Sequence, residues 1–429
     1  MNIIERGRVF VQSLRELAGR TVWDWRRCPY CGQSDTCKNG SYVRRPWMFT
    51  GRQVVRVQRH RCWSCRRSYS EQSPWLVRGS WYAREVHRMA VDHWQHVGSS
   101  LRRTAEWVRS WLGQQERWGL WRPLAERVAE RERCSLGAST VHRWLDRAGQ
   151  VAQESVPGQL RGIASSGQMG TDGLWARLRG GGQRVVLALV DSVSGLLWPP
   201  VVAEEEESAV SWGGLFARAQ EAGLDLDGLW AVTSDGAQGL LAYLRVALDW
   251  VNQQRCVWHL WRSLGGAIGR AGAKAAAGLV GEAAEKAAQG VREELVALIH
   301  AVVDAQSYAQ AGEALERLKR HPLGGGVLKK LQEQFDRLLV HLLDAHRGLL
   351  RVAPEWLWRD YRLRLSHGRN HGSDGRLERA ALVWQVYHDF TPAQRRSERK
   401  RHYKHPGQSP LEAAGASPGE ISYLDALGV

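Results

Sequence analysis

Four cysteines early in the chain stand in two pairs, the "CPYC" of Cys28 and Cys31 and the "CWSC" of Cys62 and Cys65. Two Cys-x-x-Cys pairs on short hairpin knuckles offer four thiolates to one tetrahedral zinc ion. Two redox dithiols are the competing reading, and the occurrence of both pairs together argues for zinc. Cys37 reads as a bystander beside the first knuckle. Tyr42, Trp47, Trp63 and several arginines surround the cluster and suit contact with DNA.

Two aspartates form a second set. Asp172 sits in "GTDGLW" within an apolar strand, and Asp235 in "VTSDGAQG" at the end of another. An isolated buried charge is costly, so such carboxylates must be paired, solvated or bound to a cation. Neighbouring strands of one sheet can bring the two together, where Mg²⁺ or Mn²⁺ would relieve their repulsion and also take phosphate oxygens. Two such ions about 4 Å apart can activate an attacking oxygen and stabilise a leaving one. Glu355, after Pro354 at a helix start, is the candidate third carboxylate, with Trp358, Arg359 and Arg362 on nearby faces. Glu378 in "GRLERAALVWQ" is the second candidate. Asp191 in "DSVSG" reads as a hairpin-turn residue, and Glu204 to Glu207 as a solvated strand-to-helix junction. A third motif, "QRCVWHLWRSL", holds Cys256 and His259 at metal-ligand spacing with no second ligand pair nearby. Packing is one reading. A position beside Asp235, with His259 hydrogen-bonding a phosphate and Cys256 holding the strand, is the other.

The elements that must position these groups follow from pattern. Residues 1–22 have helical apolar spacing, and 23–78 read as the zinc ribbon. Residues 79–155 read as a helical DNA-binding region. There "SSLRRTAEWVRSWLG" puts Leu101, Ala105, Val108 and Leu112 on one face. "ASTVHRW" reads as the recognition helix of a helix-turn-helix, capped by Ser139, with Val141, Trp144 and Leu145 inward and Thr140, His142 and Arg143 outward. Residues 160–264 give three strands, a helix, a strand and a helix, the pattern of a mixed sheet. The continuous apolar run Val185 to Val190 marks its central strand. "WVNQQRCVWH" reads as a further strand beside that of Asp235. Residues 265–345 form an all-helical segment, 346–392 the last helices, and 393–429 a basic, solvated tail able to touch phosphate. The fold class is thus multi-domain α+β.

Composition narrows the partners. The chain has 429 residues and a net charge of +16, with arginine in excess of lysine, which points to a polyanion, above all nucleic acid. No apolar run approaches the roughly 20 residues of a membrane span. The first residues lack a signal-peptide core, so an intracellular, nucleoid-associated protein without a disulfide framework or a membrane partner is expected.

In this order, "CPYC…CWSC", "ASTVHRW", "TDG", "SDGA" and "CVWH" resemble the prokaryotic insertion-sequence transposases of the DDE type, in the Mutator-like superfamily. The likeness spans nearly the whole chain. It implies an RNase H-like core interrupted by a helical insertion between the second aspartate and the final glutamate. It implies Asp172 and Asp235 as the first two catalytic acids, and Cys256 and His259 as the Cys/Asp-x-x-His pair. Glu355 aligns as the final acid by the Trp/Arg helix after it and the later "YHDF…SPLEAAG", although "RVAPEWLWRDYRLRL" lacks the Thr-Asn pair of many relatives. The implied partners are double-stranded DNA, as terminal inverted repeats and target, and further copies of the chain on paired ends. The implied cofactors are Mg²⁺ or Mn²⁺ in the core and structural Zn²⁺ in the ribbon. A DNA-binding protein that has lost catalysis, and a metal-dependent nuclease without strand transfer, are the alternatives.

Overall fold

The computed structural model describes residues 26–49, 51–71, 73–118, 134–205, 208–343, 351, 358, 361–362, 364, 371–392, 405, 407–419 and 421–429. The helix expected over 1–22, Glu355 and Arg359 therefore lie outside the described residues. The chain is mixed α+β and divides into two compact units between Arg147 and Ala148, with Gly428–Val429 joining the first.

In the first unit, strands β1 (Thr36–Arg44), β4 (Val55–Cys62) and β5 (Ser68–Ser70) form an antiparallel sheet in the order β1-β4-β5. A small hairpin of β2 (Trp47–Met48) and β3 (Gly51–Arg52) interrupts the chain between β1 and β4. Three helices follow: α1 (Arg84–Val97), α2 (Leu101–Trp118) and α3 (Ala138–Leu160), and the division between the units falls inside α3. Gly98 ends α1 in the left-handed conformation, its N–H donating to the Trp94 carbonyl, as a C-terminal glycine does. Leu101, Ala105, Val108 and Leu112 are buried along α2, and Val141, Trp144 and Leu145 along the start of α3. Arg143 is exposed, and Thr140 and His142 are half-buried. The expected cap is displaced. α3 begins one residue before Ser139, and the Gly137 carbonyl accepts from the N–H groups of Thr140 and Val141. Ser139 therefore lies in the first turn of the helix.

The second unit is built on a five-stranded mixed sheet in the order β10-β9-β6-β7-β8. Its strands are β6 (Gln168–Arg177), β7 (Gln183–Asp191), β8 (Leu197–Ala203), β9 (Ala231–Ser234) and β10 (Asn252–Arg255). β6, β7 and β8 meander antiparallel, whereas β6, β9 and β10 run parallel. Helices α4 (Ala209–Glu221) and α5 (Gln238–Ala247) connect β8 to β9 and β9 to β10. Such parallel neighbours need a crossover, and helices supply it. Val185 to Val190 of β7 are all buried, as a strand covered on both faces requires. The arrangement is consistent with an RNase H-like core.

The last core strand is shorter than expected. β10 stops at Arg255, and α6 (Val257–Ala275) starts two residues later with Cys256 as its N-cap residue. His259 is thus in the first turn of a helix, not on a strand. α6 is followed, across short turns, by α7 (Gly281–Val303), α8 (Tyr308–Arg320), α9 (Gly325–Gln332) and α10 (Phe335–Leu338), and these helices share one core that includes Leu260, Leu264, Leu295, Ile299 and Leu331. Gln254, fully buried in β10, ties this bundle to the sheet, donating to the Leu338 carbonyl and accepting from the His341 N–H.

α11 (Asp374–Phe390) covers one face of the sheet, where Leu377, Ala381 and Trp384 join Trp358, Tyr361 and Leu174 in a common core. The basic run of the expected tail, residues 393–404, lies outside the described residues, and the part of the chain after it carries helices. Two one-turn helices, α12 (Pro410–Ala413) and α13 (Tyr423–Ala426), contact α11, bury Leu411 and Leu424, and set Tyr423 edge-on to Tyr387. Each is closed by a capping box, Ser409 with Glu412 and Ser422 with Asp425. Among the described residues no helix is long and apolar enough to cross a membrane.

Candidate active site

The parallel register explains how two aspartates far apart in sequence meet. Gly170 of β6 lies opposite Thr233 of β9. Continuing that register by two residues sets Asp172 opposite Asp235, across the spacing of about 4.8 Å between neighbouring strands. On the other side of β9, Arg255 of β10 pairs with Ser234. The next residue, Cys256, donates its N–H to the Ser234 carbonyl at 2.8 Å. One turn into α6, His259 returns toward the carboxylates. Ligand atoms of Asp172, Asp235 and His259 all lie within 4.8 Å of one another.

Asp172 is only 5% exposed, in a cavity of about 490 Å³. Among the residues lining it are Asp235, Trp175, Arg255, His259, Arg262 and Arg362. One oxygen of Asp235 is engaged locally, accepting from the Ala237 N–H at 2.9 Å. His259, Arg262 and Ser263 stand at helical spacing on one face of α6. Arg262 also lies over the Trp258 ring, 5.6 Å from its centre. Three arginines around two carboxylates are more than neutralisation needs. The surplus suits a polyanion that brings its own negative charge.

Arg255 is the residue that sequence reasoning passed over. Burial pushes its guanidinium below its ordinary range, Asp235 and Cys256 pull it back, and Arg337 adds to the lowering. Its buried Nε has no hydrogen-bond partner among the described residues. Gly236 makes room for it. The glycine has φ +81°, and a Cβ there would fall 2.7 Å from the Arg255 guanidinium. The left-handed backbone favours glycine in "SDGA", and the missing side chain leaves room for the guanidinium. The clue available in sequence was an arginine ending a strand next to that of Asp235.

The other expected residues separate. Cys256 is fully buried at the junction of β10 and α6 and does not line the cavity. Arg362 lines it and is exposed. Glu378 does not. It pairs with Arg218 of α4. Asp191 is a turn residue, its carboxylate accepting from the N–H groups of Ser166, Val193 and Ser194. Glu204 is exposed and pairs with Arg184.

The cysteine cluster is built differently. In the first knuckle the Gly32 N–H donates to the Cys28 carbonyl, and in the second the Cys62 N–H donates to that of Arg67. Each knuckle turns on a left-handed residue just after its second cysteine, Gly32 at φ +75° and Arg66 at φ +61°. The Sγ atoms of Cys28 and Cys65 are 3.5 Å apart, those of Cys31 and Cys62 3.6 Å, and all four lie within 4.8 Å. Four sulfurs about 2.3 Å from one zinc ion stand about 3.8 Å apart, so the thiols fit that ion. A hydrogen bond with the Cys65 backbone lowers the Cys62 thiol to about 7, outweighing desolvation. The carboxylate pair fits a hard divalent cation, and the imidazole of His259 suits such an ion less well.

No curated protein matches the chain. Residues 200–324, running from within β8 to the end of the α8–α9 turn, match the Mutator family of transposases, so the chain carries a Mutator-family transposase domain that includes Asp235, Arg255 and His259.

Proposed function

We propose that the chain is a DDE transposase that binds the ends of a mobile DNA element, cleaves a strand and joins the freed end to target DNA. The convergence of Asp172, Asp235 and His259 in an arginine-lined cavity carries this reading. Asp172 and Asp235 would hold Mg²⁺ or Mn²⁺, which supplies Lewis-acid stabilisation of the reacting phosphate. Glu355 is the third carboxylate. The described part of the chain just after it supports that choice, since Trp358 and Tyr361 are buried against the sheet and Arg362 lines the cavity. The pairing of Glu378 with Arg218, and its absence from the residues lining the cavity, support Glu355 over it.

His259 hydrogen-bonds a non-bridging phosphate oxygen, Arg255 stabilises charge at the reacting phosphate, and Arg262 holds the strand by its charge. Cys256 positions them by anchoring the strand-to-helix junction. Arg359 and Arg362 contact the DNA backbone. The first unit recognises terminal inverted repeats, with Ser139, Thr140, His142 and Arg143 toward the DNA, and the chain acts as a homo-oligomer on paired ends, in the cytoplasm at the nucleoid.

Strand cleavage and joining on DNA carrying the element's ends, with Mg²⁺ or Mn²⁺, test the proposal. Joined products are expected from the wild type and none from Glu355→Gln, while Glu378→Gln stays active. Nicks without joined products identify a nuclease. DNA binding with no cleavage under either metal identifies a DNA-binding protein.

A further inference from the structure

A second cavity, larger than that of the carboxylates, lies in the first unit. It is a groove of about 790 Å³, with Tyr30, Tyr42, Trp81, Arg45, Arg52 and Arg78 among its lining. The three rings are open, Trp81 being 69% exposed, Tyr30 48% and Tyr42 41%, with the Arg67 guanidinium over the Tyr30 ring, 5.2 Å from its centre. They come from separate places: the first cysteine knuckle, strand β1 and the segment before α1. Their backbones are nevertheless held. Tyr42 is in ladder register with Val57, and the Trp81 carbonyl accepts from the Trp47 N–H at 2.8 Å. Arg44 braces the wall, donating to the carbonyls of Val77 and Ser80. Arg45, Arg52 and Arg78 add positive charge, and Glu71 is the one carboxylate among the described lining residues.

We propose that this groove binds single-stranded DNA, stacking unpaired bases on Trp81, Tyr42 and Tyr30 while the arginines contact the phosphates. Aromatic faces with a positive surround are what unpaired strands use, and every base offers a face to stack. A duplex keeps those faces inside its own stack, so it can use the arginines but not the rings. An acidic peptide has the same limitation. The inference takes from the proposed function only that DNA is the substrate, and it makes no use of the carboxylate chemistry.

The zinc-loaded full chain is titrated against fluorescent oligothymidylate and against a duplex of the same length. Trp81→Ala and Tyr42→Ala are each expected to weaken single-strand binding roughly 10-fold and to change duplex binding less than about twofold. Trp81→Phe is expected to restore most of the loss, and these differences are expected whether or not strand cleavage is ever observed. Zinc content reports folding. If Trp81→Ala loses zinc, Tyr42→Ala carries the same expectations. Unchanged single-strand affinity in the alanine variants overturns the proposal. So does an equal loss for both DNAs, or competition by poly-glutamate as effective as that by unlabelled oligothymidylate.

Discussion

The two ligand clusters of this chain make opposite use of similar material. The cysteine cluster draws four ligands from two knuckles, each local in sequence, and packs Cys28, Cys62 and part of Cys65 with Tyr69 into a small core, with Cys31 at its exposed side. Four thiolates complete a tetrahedral shell, as in zinc sites that hold a fold together. The carboxylate cluster draws three ligand groups from two strands and a helix and opens into a cavity lined by arginines. The number of ligands separates the two less than what surrounds them. A closed shell is complete by itself, while an open one with cations around it still needs an anion.

Breaking the closed cluster has the largest effect. Zinc removal or Cys62→Ser is expected to unfold the β1-β4-β5 sheet, because structural zinc contributes about 10–16 kcal/mol, as much as a whole domain's stability. Hydrogen exchange should show protection lost in β1 and β4 and kept in β6 and β7. A ribbon that stays protected would mean that the cysteines are ordinary core residues.

Breaking the open cluster should do the reverse. Asp172→Asn or Asp235→Asn is expected to cut strand cleavage roughly 10³-fold or more while the melting temperature holds or rises, since like charges no longer meet. A large loss of melting temperature would turn the aspartates into structural groups.

The cations around that cluster come next. Arg255→Ala and His259→Ala are each expected to lower cleavage about 10- to 100-fold with duplex binding little changed, as for groups that stabilise charge at the reacting phosphate. Equal losses of binding and cleavage would assign them to general attraction for DNA.

A pair of histidines carries the same contrast to a smaller scale. His259 opens to the cavity, whereas His87 is buried, stacks on Trp144 with ring centres 3.8 Å apart and meets the Ser80 hydroxyl. Burial, reinforced by Arg84 and Arg147, pushes His87 from 6.5 down to about 3. The unfolded chain therefore binds this proton more readily. The stability His87 contributes is present above pH 6.5 and falls as pH drops toward 3, by at most about 1.4 kcal/mol per pH unit. Thermal melts across that range should show the slope, and His87→Phe should flatten it.

The sequence made the cysteine pairs legible because each pair is a local motif. Asp172 and Asp235 were legible for a different reason, a charge placed where a strand is otherwise apolar. What escaped notice depended on relations between elements. Arg255 matters through a parallel register that no local pattern reveals. "WVNQQRCVWH" alternates well enough to hide the turn from β10 into α6, so His259 was expected on a strand. The polar and apolar residues around Ser139 permit a cap, but the Gly137 carbonyl comes one turn-closing position earlier. In the last segment the basic run drew attention from two capping boxes, Ser409 with Glu412 and Ser422 with Asp425, that announce short helices.

The division of labour between the clusters can be measured directly. Dialysis of the zinc-loaded chain against Mn²⁺ in the presence of end DNA should load exchangeable Mn²⁺ while zinc remains bound. The double variant Asp172→Asn, Asp235→Asn should lose the Mn²⁺ and keep the zinc. Mn²⁺ retained by the double variant, or zinc exchanging as readily as Mn²⁺ in the wild type, would contradict the account.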